Sequence, residues 1–188
     1  MLEDDAAHDA PQQITVREAT GRDAAGISEV NLLAWQSAYR GILPDTYLDG
    51  LGAEIGEAVA RWRATLLVPD LPGRVTWVAE DNARRVIGYF VVGPCRDDDA
   101  VAEVGELWAI YVHPDEWRTG TGSILMEAAV EQLQAAGYDE AILWVFERNK
   151  RARAFYEHHG WRHDGASELF ERGGGQAVEV RYRRAFLG

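Results

Sequence analysis

Cysteine is nearly absent from this chain: of 188 residues, Cys95 alone carries a thiol. One thiol closes no intramolecular disulfide, so the fold has to stand on its core, as expected of a cytoplasmic protein in a reducing compartment. Nothing near Cys95 in sequence argues for a lowered pKa, and it reads as an ordinary thiol rather than a nucleophile. Long apolar runs are missing as well. No stretch approaches the about 20 residues of a membrane span. Met1 to Ala10 carries acids and no basic n-region, so it reads as the start of a solvated tail, residues 1–13, and not as a secretory signal. Positive charge is scarce, with 19 Lys and Arg against 31 Asp and Glu and a formal net charge of −12. Such a surface repels a phosphate backbone, which argues against nucleic acid as a partner. The five His have no cysteine partners, so a metal site has little support. There is no internal repeat and no low-complexity tract.

What is present suits one globular domain over residues 14–188. The chain is 47% hydrophobic and holds seven Trp and seven Tyr, ample material for a core. Ile14 to Glu18 alternates as a strand. Asp23 can cap a helix with Ala24, Ile27, Val30, Ala34 and Ala38 on one face, and Trp35 and Tyr39, four apart, share a side of it. Gly41 and Pro44 break that helix. Asp45 to Leu67 is helical again, with Tyr47, Leu51, Ile55, Val59 and Trp62 as its stripe. Strands are expected at 75–80 and 86–92, then a loop from Pro94 to Ala100 with Asp97-Asp98-Asp99. A strand at 104–112, a helix to about Ala136 closed by Gly137, and a strand at 141–146 come next. A helix at 149–159 precedes a hairpin of 161–172 and 177–186 across Gly173-Gly174-Gly175. The order β-α-α-β-β-β-α-β-α-β-β predicts an α+β fold with an α/β-type mixed sheet.

Two segments carry chemistry. In Tyr111-Val-His-Pro-Asp-Glu-Trp-Arg-Thr-Gly-Thr-Gly-Ser123 an apolar strand ends at His113-Pro114, and a turn of small residues opens a helix at about Gly120. A strand leading through Gly-x-Gly into a helix gathers backbone N–H groups with no side chains in the way, and the helix dipole adds roughly half a positive charge there. The second segment is Asn149-Lys-Arg-Ala-Arg-Ala-Phe-Tyr-Glu-His-His-Gly-Trp161. Asn149 is a good N-cap, Ala152, Phe155, Tyr156 and His159 follow at helical spacing, and Gly160 stops the helix.

These two segments, in this order and about 30 residues apart, resemble the GNAT superfamily of N-acetyltransferases, and the likeness spans roughly residues 14–187. It implies a central twisted mixed sheet flanked by helices and an activity that moves the acetyl group of acetyl-CoA to a primary amine. By that resemblance Arg118, Thr119, Gly120, Thr121, Gly122 and Ser123 cradle the pyrophosphate. The usual pattern has Gln or Arg where this chain has Trp117, with Arg118 one place later. Ile110 and Val112 would pair their peptide groups with the pantetheine arm, and Asn149 would contact it too. Tyr156 would hand a proton to the departing sulfur, a phenol being well matched to a thiolate of similar basicity. Glu106 is the candidate base, acting through water, with Glu103 as rival. Trp35 and Tyr39, and with them Asp45 and Asp49, are candidates for the acceptor pocket. Lys150 and Arg151 are surface cations by default, and either is a further candidate, with Arg118, for the positive charge that the anionic cofactor needs. A homodimer is compatible with the resemblance. The alternative function is a GNAT-like module that holds CoA as a sensor, for which Trp117 is the sequence hint. The acceptor's identity stays open among polyamines, aminoglycosides, amino acids and protein N-termini.

Overall fold

The computed structural model describes residues 13–68, 71–98 and 101–186. The expected N-terminal tail, apart from its last residue, and Asp99 of the acidic loop lie outside the described residues. The elements are β1 (Thr15–Glu18), α1 (Ala24–Ala38), α2 (Asp45–Gly50), α3 (Ile55–Leu67), β2 (Val75–Glu80), β3 (Val86–Pro94) and β4 (Val104–Val112), then α4 (Thr121–Ala135), β5 (Glu140–Phe146), α5 (Lys150–His158), β6 (Arg162–Arg172) and β7 (Gly175–Ala185). Seven strands form one sheet in the order β1-β2-β3-β4-β5-β7-β6. Neighbours are antiparallel except β4 and β5, which run parallel. The expected mixed sheet flanked by helices is what the chain forms.

Alternation along the strands sorts side chains onto two faces. One face carries Phe90, Leu107, Leu143, Val145, Val180 and Tyr182 against Leu125, Met126, Ala129 and Leu133 of α4. The other carries Val78, Tyr89 and Val91 against Ile27 and Val30 of α1, with Trp62 of α3 beside them. β3 reads as a continuous apolar run, Val-Ile-Gly-Tyr-Phe-Val-Val, because both of its faces are covered. The approach of α4 to the sheet is close: a Cβ on Gly105 would lie 2.6 Å from Leu133 and 2.7 Å from Tyr138.

Two local expectations change. Asp23 does not cap α1 with its side chain. It sits at the third position of a short 3-10 turn and accepts from the Thr20 N–H at 2.7 Å, while Arg17 clamps both its oxygens at 2.7 and 2.8 Å. Arg17 also pairs with Glu80, so this buried cluster ties the start of α1 to β1 and β2. The helix expected over 45–67 is three pieces, because a 3-10 turn at Leu51–Glu54 separates α2 from α3. Gly50 precedes that break and Gly52 lies within it, and both weaken the helix there.

Candidate active site

The site grows from a break in the sheet. β4 and β5 pair only from Val104↔Glu140 to Glu106↔Ile142, after which no pairing joins them. β4 continues to Val112 and β5 to Phe146, so a wedge opens between their C-terminal halves. β4 also carries a bulge. Val92 faces Leu107 while Val91 faces Ala109, leaving Trp108 as an extra residue. Beyond it, His113 N–H donates to Ile87 at 2.8 Å. In an antiparallel pair the residues alternate in which edge their peptide groups address, so Ile110 and Val112 turn theirs toward the open wedge. The Val112 carbonyl already accepts from Trp117 Nε1 at 2.9 Å, and the remaining groups form a free strand edge.

At the head of the wedge the chain enters α4. Arg118 has φ 72° and Gly120 φ 98°, so two left-handed residues punctuate the turn. For Gly120 the conformation costs nothing; for Arg118 it stores on the order of 1–3 kcal/mol of strain. The result is a nest. Among the described residues the N–H groups of Arg118, Thr119, Gly120, Thr121 and Gly122 find no acceptor, and Ser123 N–H is the first to be used, by Gly120 at 3.0 Å. The side chain of Thr119 is turned inward, donating to the Glu116 carbonyl at 2.8 Å and meeting the Thr121 hydroxyl at 2.9 Å. Convergent free N–H groups at a helix start favour an anion. A Cβ on Gly122 would stand 3.4 Å from the Phe155 ring, so the start of α4 lies close against α5.

Across the wedge, Asn149 caps α5 by accepting from Ala152 N–H at 3.2 Å. Among the described residues its amide NH2 has no hydrogen-bond partner. Arg148, Lys150 and Arg151 surround it, and with the Ser37–Ile42 segment they line a basin of about 420 Å³. Trp117, where the resemblance leads one to expect Gln or Arg, carries the Arg151 guanidinium 3.3 Å above its ring. A positive charge is thereby held beside the nest by stacking, a contact that no local sequence pattern announces.

Tyr156 projects from α5 into the same region. It is half-buried, and among the described residues its hydroxyl has no hydrogen-bond partner. Burial, with the Tyr111 phenol nearby, drives its pKa well above that of a free tyrosine, so it stays a proton donor. Tyr39 and Tyr111 meet hydroxyl to hydroxyl at 3.0 Å, and burial raises the pKa of both. Tyr39 packs edge-on against Trp35 at 5.1 Å and Phe146 at 4.8 Å. Arg172 lies 5.6 Å over Trp35. The hairpin turn at Gly173 and Gly175 rests on Tyr47 and Pro44, which closes this side of the cleft.

The candidate acids part company. Glu106 is 1% exposed at the point where β4 and β5 separate, and it accepts from Arg96 N–H at 2.9 Å, Nε at 3.1 Å and Nη2. The Arg96 guanidinium lies in turn 4.5 Å over Trp108. Glu103 is exposed, away from the wedge's free edge. Asp45 and Asp49 pair with Arg40 on the surface. Asp97 receives Arg181 at 2.6 Å and Trp144 Nε1 at 3.0 Å, pinning the β3–β4 loop across the face of β5 and β7. Two residues near Tyr39 escaped the sequence reading: Tyr111, placed there only as a strand residue, and Glu179, which acts electrostatically on both tyrosines. The alternation of Val178, Glu179 and Val180 does assign Glu179 to the face opposite Val180, but its neighbours come from other strands. Cys95 is half-buried, and burial pushes its thiol up, as befits a bystander.

Comparison with known proteins decides the family. The model of the acetyltransferase (GNAT) family matches residues 33–161, well over half of the chain. This chain belongs to the GNAT acetyltransferase family. An N-acetyltransferase of Bacillus subtilis, YuaI, is 32% identical over 136 residues, which cover 72% of this chain and 73% of that one. In fold, the GNAT chain overlays on the PaiA N-acetyltransferase of Thermoplasma acidophilum, solved with coenzyme A, at a TM-score of 0.69 and 18% identity, over 93% of this chain and 99% of that one. YncA of Salmonella typhimurium, solved with acetyl-CoA, gives a TM-score of 0.68 at 20% identity over 92% and 94% of the two chains. The wedge, the nest and α5 fall within or beside the matched segment, so this GNAT chain carries its candidate acyltransferase site where its core motifs lie.

Proposed function

We propose that this protein transfers the acetyl group of acetyl-CoA directly to a primary amine, of a small molecule or a peptide, within the wedge between β4 and β5. One observation carries the reading. Among the described residues, five N–H groups without an acceptor stand just beyond the end of β4, the C-terminal half of β4 is unpaired with β5, and the Tyr156 phenol, near Tyr111 of that strand, has no hydrogen-bond partner. That arrangement suits a ligand with a pyrophosphate at one end, amides in the middle and a thioester at the other. Residues 118–123 would hold the phosphates, with Arg151 adding charge. Ile110 and Val112 would pair with the pantetheine amides, and Asn149 would donate to them from the far side.

The thioester supplies an activated acyl carbon, and the protein's residues manage its charge and protons. An Ile110 or Val112 N–H facing the wedge can stabilise the oxygen as it gains charge. Tyr156, kept protonated by burial, can hand a proton to sulfur as the C–S bond breaks. Trp35, Tyr39, Phe146 and Tyr111 form an aromatic wall for the acceptor, and aromatic faces attract cations. The test is a panel of amines, from diamines to peptide N-termini, with release of the CoA thiol as readout. Acetylation of at least one amine supports the reading. Tight acetyl-CoA binding with no amine acetylated would leave a CoA-binding module instead.

A further inference from the structure

Glu179 stands in β7 directly opposite Phe146 of β5 and Glu168 of β6. Val180 and Tyr182 face the α4 side, so Glu179 faces the other. There Ala177, two residues before it, packs in the cluster of Tyr39, Phe146 and Phe170. Its carboxylate thus enters the aromatic end of the cleft, close enough to act electrostatically on both Tyr39 and Tyr111. It is half-buried, yet among the described residues it has no hydrogen bond and no ion pair. The contrast with Glu106 decides between them. Glu106 would have to surrender bonds to Arg96 before it could take a proton, whereas Glu179 has nothing to surrender.

We propose that Glu179 is the proton acceptor for the amine, a role that the resemblance assigned to Glu106. The inference rests on the amine-acetylating reading above and names the base within that site. Glu179 takes one proton from the bound ammonium and passes it to solvent. The free amine then forms the C–N bond, and the C–S bond breaks with its electron pair on sulfur. Tyr156 gives sulfur its proton, and the proton lost by nitrogen on becoming an amide returns to Tyr156 through solvent. The electrostatics support this poise. Burial raises the carboxyl, Glu168 across the strand raises it further, and Arg96 from the β3–β4 loop opposes them, leaving a pKa of about 7. Tyr39 and Tyr111 face it as neutral phenols, and Arg172 lies beyond them over Trp35. A base with that pKa is half ionised near neutrality, where a general base works best.

The experiment follows kcat against pH at saturating amine, using an acceptor from the panel, together with acetyl-CoA affinity and thermal melting. Wild type should show a rising limb with a midpoint near 7. Glu179→Gln should lower kcat by about 100-fold, abolish that limb and leave acetyl-CoA affinity and folding intact. Glu168→Gln should shift the limb to lower pH, because it removes the like charge; a merely structural Glu179 would not respond in this way. A Glu179→Gln enzyme that keeps the wild-type rate and limb overturns the assignment and leaves the amine-acetylating reading in place. So does loss of the limb in Glu106→Gln alone. A wild type that binds acetyl-CoA and acetylates no amine overturns both.

Discussion

Removing one oxygen atom at Tyr156 should separate stability from catalysis. The Tyr156 hydroxyl has no partner among the described residues, so Tyr156→Phe strands no buried donor or acceptor. Deleting a polar group without orphaning its partner is close to neutral, within about 0.5 kcal/mol. For a chain of this size, 1 kcal/mol moves Tm by about 2–4 °C, so the melting point should stay within roughly 2 °C. The ring contacts with Phe155 and Tyr182, at 5.6 and 6.3 Å between centroids, remain. Catalysis should respond differently. A positioned general acid contributes at least about 100-fold, some 2.7 kcal/mol of barrier. That loss should fall on kcat, with KM for acetyl-CoA nearly unchanged, because the proton is needed only as the thiolate forms. The raised pKa adds a sign: the donor form persists above the ordinary tyrosine value, so wild type should show no falling limb below about pH 10. The assay is initial-rate CoA release across pH, beside thermal melts of both proteins. A Phe variant with the wild-type kcat refutes the reasoning and makes Tyr156 a packing residue.

Three other outcomes are expected. Gly122→Val should weaken acetyl-CoA binding by at least about tenfold, or 1.4 kcal/mol, because its methyls extend past a first carbon already 3.4 Å from the Phe155 ring and would shift the start of α4 that presents the nest. Equal affinities by calorimetry would move the phosphate site elsewhere. Trp117→Ala and Arg151→Gln should each weaken acetyl-CoA binding several-fold, and the double variant should be little worse than either, since the two residues act as one stacked unit; additive losses would break that link. Burial pushes the Asp23 carboxyl up, but the Arg17 and Thr20 hydrogen bonds outweigh it and set the pKa at about 2. The stabilisation is therefore complete above the unfolded value of about 3.9 and drains away as pH falls toward 2. Tm measured from pH 6 to 2 should show that decline in wild type and a shallower one in Asp23→Asn, and parallel curves would count against the clamp.

The order of elements, the left-handed turn into α4 and the cap of α5 were legible in the sequence because each depends on residues within about one helical turn of one another. Gly120 needs its left-handed φ wherever that turn forms, and Asn149 caps whatever helix follows it. That Tyr156 lies on α5 was legible by its spacing from Asn149. The tertiary structure decided what those residues meet. Glu106 was a reasonable base until Arg96, ten residues away across a loop, closed on it. Trp117 looked like a plain departure from Gln or Arg until Arg151 came to rest on its ring. Asp23 looked like a cap until Arg17 of β1 and the Thr20 N–H drew its carboxylate aside. Glu179 is plain in an alternating strand, and only the pairing of β7 with β5 and β6 sets it beside Phe146, Tyr39 and Tyr111. Local sequence fixes backbone conformation, because dihedral preferences and capping bonds are short-ranged. The electrostatic role of a side chain is set by charges and apolar walls that arrive from distant segments when the sheet assembles.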